Sequence, residues 1–97
     1  MLFAIHALDH ADGLPKRLSA QAAHSAYLKD ASAHGVKIVV SGPLTTDDGE
    51  TMIGSLIVVE APDRASVEKF NENDPYNKAG VWKERTITAF LKRTDNR

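Results

Sequence analysis

The sequence contains no cysteine among its 97 residues. That absence excludes disulfide bonds, zinc sites built on thiolates and a cysteine nucleophile. There is also no apolar run of the roughly 20 residues that cross a bilayer, so we expect no membrane segment. The apolar start, Met1 to Ile5, meets His6 at once and has no basic region. This predicts a strand rather than a signal peptide, and hence a cytoplasmic protein.

Charge of neither sign runs in a block. The chain has 12 basic and 13 acidic residues and a formal net charge of −1. Nucleic acids and anionic membranes bind basic stripes or segments, so we expect neither as a partner. The glycine patterns of nucleotide-binding loops are missing, and the four histidines lack a spacing that converges on one ion. We therefore predict no metal and no cofactor.

What is present is an ordinary globular composition, 42% hydrophobic and 26% charged, in a chain long enough for one domain, residues 1–97. Apolar and β-branched runs predict strands, and a stretch rich in alanine predicts the longer of two helices. The predicted strands span residues 2–8, 36–40, 52–60 and 82–91, and the predicted helices span 16–34 and 63–73.

Turn-forming residues define the predicted ends of these elements. Pro15 suits the first turn of a helix, where a missing N–H costs nothing, and Gly35 stands where a glycine C-cap is expected. The segment Ser41 to Pro43 predicts the end of the second strand. Asp63 is expected to cap the second helix. Asp74 precedes a proline and is expected to end that helix, because the residue before proline is pushed out of the α region.

The order β-α-β-β-α-β predicts a ferredoxin-like α+β fold, a four-stranded antiparallel sheet with both helices on one face. Two helices cover only one face of such a sheet, yet the first strand is largely apolar on both. We therefore expect a homodimer in which the second face packs against another copy, with tolerated exposed side chains as the alternative. The two faces carry Phe3, Ile5 and Ala7, and Leu2, Ala4, His6 and Leu8.

The first helix places two polar side chains on its apolar side. At about 100° per residue, Arg17, His24 and Leu28 fall in one stripe with Ala31. Such an arginine and histidine either extend to solvent from the end of the core or line a cavity between helix and sheet. They are about 10.5 Å apart along the axis, too far for a direct bond but suited to bracketing a small ligand.

His24 is the strongest functional candidate. A histidine can accept and donate a proton near neutral pH, which favours acid/base catalysis, and a partly buried helix histidine without a role is the alternative. A carboxylate that fixes its tautomer would support the first interpretation, and Asp74 lies at a helix-to-loop junction, where sites collect. Capping or turn formation is the other explanation of Asp74. His6, inside the first strand, is expected to be either a core histidine or a neighbour of the site.

An ordered set of short motifs resembles the YciI-like, or YCII-related, family over nearly the whole chain. The resemblance implies the dimeric α/β-barrel superfamily, in which ferredoxin-like monomers pack their sheets face to face. The motifs are Arg17 followed by His24, then Ser41-Gly42-Pro43, Gly54-Ser55, and Asp74-Pro75-Tyr76 with Ala79-Gly80-Val81.

The same resemblance implies a function. His24 and Asp74 match the histidine and aspartate regarded as the family's catalytic pair, and one relative is a dehydrochlorinase of a chlorinated hydroxyquinol. We therefore expect a cofactor-independent small-molecule enzyme, a lyase or isomerase working by proton transfer. A non-catalytic module for binding a metabolite or for dimerisation is the alternative. The expected substrate contacts are Arg17, which suits an anionic oxygen, together with Ser55, Tyr76 and His6.

Overall fold

In the computed structural model, which describes residues 1–97, four strands form one sheet in the order β2-β3-β1-β4. All neighbouring strands are antiparallel. The predicted ferredoxin-like α+β fold is thereby confirmed. No helix is long and apolar enough to cross a membrane. The elements are β1 (Leu2–Asp9), α1 (Leu14–Lys29), a 3₁₀ helix (Ala31–His34), β2 (Lys37–Thr45), β3 (Met52–Glu60), α2 (Arg64–Glu72), α3 (Pro75–Lys78) and β4 (Trp82–Phe90).

The hydrophobic core lies between the inner face of the sheet and the helices. Alternation along β1 and β3 places every second side chain on this face, and Phe3, Ile5 and Ala7 on β1 and Ser55, Ile57 and Val59 on β3 are almost inaccessible. Burial of one such aliphatic or aromatic side chain contributes about 1.5–3 kcal/mol, so this face is what holds the helices down. The core comprises Phe3, Ile5, Ala7, Ala31, Val36, Ile57, Val59, Ala61, Val67, Phe70, Tyr76, Val81 and Trp82.

The outer face of the sheet is left uncovered by the helices. Leu8 on β1 and Leu56 on β3 are each 36% exposed, and Val40 on β2 and Phe90 on β4 are each 48% exposed. Cross-strand pairing brings these strands side by side, so the exposed apolar side chains belong to one surface. The sequence pattern of two apolar faces is thus present in the fold.

The first helix is shorter than predicted. α1 ends at Lys29, because Asp30 leaves the helical conformation and its N–H bonds three residues back, to the Tyr27 carbonyl. The chain then tightens into the 3₁₀ helix, which brings Ala31 into the core. Gly35 ends this helix in the left-handed conformation, with φ 77°, as the glycine signal predicts.

The prediction that β2 ends before residues 41–43 is wrong. The strand continues to Thr45, and Pro43 pairs with Ser55 of β3. β2 is an edge strand, and a residue without an N–H is tolerated where one side of the strand has no neighbour. The bounds of β3 agree with the prediction, and Asp63 caps α2 by accepting a hydrogen bond from the Ser66 amide at 2.8 Å.

A one-turn helix that the sequence did not predict follows α2. Asp74 caps this helix, since its Oδ1 accepts a hydrogen bond from the Tyr76 amide at 2.8 Å. Pro75 occupies the first position, where its fixed φ suits a helix start. The turn buries both Asp74 and Tyr76 against α1, which is how a loop-forming segment reaches the site.

Candidate active site

A cavity of about 170 Å³ lies between α1 and the β2–β3 side of the sheet. A cavity of about 150 Å³ accommodates benzene in another protein, so this one has room for a single substituted six-membered ring. The predicted residues Arg17, His24, Ser55 and Tyr76 all line it. The remaining lining residues are Gln21, Ser25, Leu28, Ser41, Gly42, Pro43, Met52 and Ile57.

The contact predicted between His24 and Asp74 is present. His24 Nδ1 lies 2.7 Å from Asp74 Oδ1. The Asp74 side chain is fully buried, and that of His24 is 12% exposed. Asp74 is also the cap of α3, and the same oxygen serves both contacts. With Nδ1 engaged by Asp74, Nε2 is the ring nitrogen left for the cavity.

Tyr76 links the two polar residues of α1. Its ring lies flat against His24, with ring centroids 3.8 Å apart and planes 13° apart. The guanidinium carbon of Arg17 lies 4.6 Å from the centroid of the same ring. Burial raises the pKa of the Tyr76 phenol, although Arg17 opposes this, so the phenol keeps its proton at neutral pH. Arg17 and His24 therefore both contact the Tyr76 ring, although they do not bond each other.

Arg17 is held by Asp9, a residue that the sequence did not identify. Asp9 accepts from Arg17 Nε at 2.8 Å and from Nη2 at 2.9 Å. Burial alone would lower the pKa of Arg17, but the Asp9 carboxylate outweighs it, and the pKa is raised. The guanidinium thus stays charged at 2% exposure. One signal was available, because an arginine on an apolar helix stripe needs a buried partner.

The Ser55 hydroxyl accepts two hydrogen bonds within the chain and can therefore only donate to a ligand. Its Oγ accepts from Arg17 Nη2 at 2.8 Å and from Trp82 Nε1 at 3.3 Å. Guanidinium and indole N–H groups only donate, so both lone pairs of the hydroxyl oxygen are occupied. The Ser55 proton has no acceptor within the chain, and the residue lines the cavity. An acceptor atom of a ligand is the group this hydroxyl suits. Trp82, like Asp9, was not predicted as part of this network.

His6 does not join these residues, which corrects both expectations for it. It is exposed on the outer face of the sheet, where it pairs with Leu56 and Thr86 of the neighbouring strands. Its neighbours Ile5 and Ala7 are the buried ones, because alternation along β1 turns odd positions toward the helices. No group of three or more histidine, aspartate or glutamate side chains is placed to hold a metal ion.

Two known proteins are similar to this chain over almost its whole length. The protein named YciI from Escherichia coli O6:H1 is 32% identical, and the match covers 95% of this chain and 98% of that protein. The structure of 5-chloro-2-hydroxyhydroquinone dehydrochlorinase (TftG) from Burkholderia phenoliruptrix, in complex with 2,5-dihydroxybenzoquinone, is 37% identical, with a TM-score of 0.81 and 94% of each chain covered.

A more distant structure shows the fold alone. SnoaB, a cofactor-independent oxygenase from Streptomyces nogalater, is 14% identical, with a TM-score of 0.54, and the match covers 98% of this chain and 94% of that one. The model of the YCII-related domain matches residues 1–91. The chain therefore belongs to the YCII-related family.

Proposed function

We propose that the cavity is the active site of a small-molecule enzyme that needs no cofactor and transfers a proton through His24. The observation that carries this proposal is the 2.7 Å contact between His24 Nδ1 and Asp74 Oδ1 at the edge of a ring-sized cavity. A carboxylate that holds one ring nitrogen fixes the tautomer and orients the other nitrogen. Nε2 is then the atom that takes a proton from the substrate and returns it.

The substrate we propose is a small ring compound with an acidic hydroxyl group. The related TftG is a dehydrochlorinase of 5-chloro-2-hydroxyhydroquinone, and its structure holds 2,5-dihydroxybenzoquinone, a ring that a cavity of about 170 Å³ admits. The Ser55 hydroxyl would donate to a substrate oxygen as negative charge develops on it. Arg17, whose Nε and Nη2 bond Asp9 and Ser55, would place its positive charge near the same oxygen.

Isomerase and lyase outcomes share their first step. His24 removes the hydroxyl proton, the oxygen forms a C=O bond, and the proton is returned to a ring carbon, so that an enol becomes its ketone. In the lyase outcome, an anionic leaving group such as chloride then departs from that carbon with its bonding pair. A second hydroxyl loses its proton to solvent in the same step, so the net loss is HCl.

We also propose that two chains pair through the outer faces of their sheets. The exposed apolar side chains of Leu8, Val40, Leu56 and Phe90 form a surface that the helices leave uncovered. This surface matches the face-to-face packing implied by the family resemblance, and burial of apolar area is the main driving force of such association. A cytoplasmic location stays a prediction from the sequence.

Chloride release from 5-chloro-2-hydroxyhydroquinone tests the proposed reaction. We expect turnover by the natural chain and a loss of about 100-fold or more in His24→Ala, because acid/base groups contribute that much. His10→Ala is the matched control, since His10 is exposed and outside the cavity lining. Unchanged turnover in His24→Ala would contradict the proposal. If the natural chain binds 2,5-dihydroxybenzoquinone but catalyses neither isomerisation nor chloride release, the enzyme proposal gives way to a non-catalytic binding module.

A further inference from the structure

Two buried polar atoms beside the His24–Asp74 contact have no partner within the chain. One is Asp74 Oδ2, and the other is Nδ2 of Asn71. Both residues are 0% exposed. The first atom can only accept from a neighbour when the carboxyl is ionised, and the second can only donate. Leaving a buried donor or a buried acceptor without a hydrogen bond is unfavourable for folding, and linking the two removes both costs.

The backbone holds the two residues close together. The Asp74 amide donates to the Asn71 carbonyl at 3.2 Å, where the chain leaves α2. Asn71 is in the last turn of α2, and Asp74 follows it three positions later. The turn that this bond closes spans only four residues, so the two side chains start from adjoining points of the backbone. The unpartnered atoms therefore belong to neighbouring side chains of one turn.

The amide group of Asn71 has only one possible orientation. Its Oδ1 accepts a hydrogen bond from Arg85 Nη1 at 2.8 Å. A guanidinium group only donates, so the amide oxygen must face Arg85 and the NH₂ group must face away from it. Arg85 reaches Asn71 from β4, where it pairs with Ala7 and shares the inner face of the sheet. The direction of the NH₂ group is thus set by a contact outside the cavity.

We propose that Asn71 is a positioning residue for His24, with its NH₂ group donating to Asp74 Oδ2 through one bound water. A donor at Oδ2 fixes the orientation of the carboxyl group, so that Oδ1 stays directed at His24 Nδ1. Ionised Asp74 can only accept, so the proton lies on His24 Nδ1 and Nε2 turns a lone pair to the cavity. The contacts Arg85–Asn71–Asp74–His24 then select the tautomer. This inference rests on the proposed role of His24 for its importance in catalysis.

The substitution Asn71→Asp separates this role from packing. An aspartate keeps the size of the side chain and an acceptor for Arg85, but it replaces the NH₂ donor with an oxygen that faces Asp74. A purely structural role predicts a change in stability without a change at His24, whereas positioning predicts that the His24 Nδ1 proton is lost or exchanges faster. NMR of the full chain with ¹⁵N-labelled histidine measures this exchange. We expect an increase of about 10-fold or more, comparable to what the hydrogen-bond partners of metal-bound histidines contribute to affinity or activity.

Asn77→Asp is the matched control. Asn77 lies on α3, and its Nδ2 bonds the Glu72 carbonyl at an exposed position, so the His24 signal should stay as in the natural chain. Arg85→Gln provides a milder variant if Asn71→Asp does not fold, because it releases the constraint on the Asn71 amide. A smaller increase in exchange is expected there. Unchanged exchange in the folded variants would overturn the proposal.

This experiment and the test of the proposed function fail separately. The NMR measurement needs no substrate, so absence of turnover leaves it interpretable. If the chain does turn over 5-chloro-2-hydroxyhydroquinone, Asn71→Asp should lower kcat by about 10-fold while KM stays within a factor of about two, because Asn71 does not line the cavity. A change confined to KM would contradict a positioning role.

Discussion

Asp9 and Arg17 form a two-pronged ion pair at the cavity, with Arg17 Nε 2.8 Å from Asp9 Oδ2 and Nη2 2.9 Å from Oδ1. The two side chains are 4% and 2% exposed, respectively. Asp9 ends β1 and Arg17 lies in the first turns of α1, while Nη2 continues to Ser55 on β3. One charged pair thus ties β1, α1 and β3 together beside the cavity.

Substitution Asp9→Asn is expected to destabilise the fold by about 3 kcal/mol. It leaves the Arg17 guanidinium buried without a counter-charge, and the loss of one partner from a buried pair typically costs about 3–5 kcal/mol. Urea unfolding measures the change. Glu68→Gln is the control, because Glu68 pairs with Arg64 at the surface, and exposed pairs contribute about 0.2–1 kcal/mol. Equal effects of the two substitutions would show that the buried pair does not stabilise the chain.

The two roles of Asp74 can be separated by two substitutions. Asp74→Asn can cap α3 with its amide oxygen, and the same oxygen can still accept from His24 Nδ1, but a neutral amide stabilises the imidazolium formed during proton transfer far less than a carboxylate does. We expect turnover to fall by about 100-fold or more while thermal stability stays near that of the natural chain. Asp74→Ala removes the cap as well, which costs about 1 kcal/mol further. Full turnover in Asp74→Asn would mean that this carboxylate is only a cap.

Elements with local signals could be predicted from the sequence. The Asp63 cap and the run of β-branched residues defined α2 and β3 closely, because a cap and a strand pattern depend on neighbours within a few positions. The end of β2 failed for the opposite reason. Whether Pro43 is tolerated depends on β2 lying at the sheet edge, and that position is set by pairing between distant segments.

Some residues of the candidate site could likewise be predicted from local sequence signals, and others could not. The helical stripe identified Arg17 and His24 without any contact information, since the period of a helix alone decides which residues share a side. Asp9 and Trp82 were missed because their partners are known only when β1, β3 and β4 are side by side. For His6, alternation correctly separated it from Ile5, but which face the helices cover is a property of the packed fold.

The Asp63 cap predicts a pH dependence of stability. The hydrogen bond from the Ser66 amide lowers the pKa of Asp63 below its usual 3.8. A carboxyl with a lowered folded pKa stabilises the fold above the unfolded value, and this contribution is lost as the pH falls through the folded value. Asp63→Asn keeps a capping side chain that does not titrate. We expect its free energy of unfolding, from urea titrations, to fall less between about pH 5 and about pH 3 than that of the natural chain.

The uncovered sheet face predicts a dimer that one charge at its centre disrupts. We expect light scattering to give about twice the chain mass of 10.6 kDa for the natural chain. Leu56→Glu should give the monomer mass with unchanged circular dichroism, because a carboxylate without a partner is costly to bury between two apolar faces. Leu18→Glu is the control, since Leu18 lies on α1 and is 53% exposed. A natural chain of monomer mass, or a dimer that persists in Leu56→Glu, would place the contact between copies elsewhere or remove it.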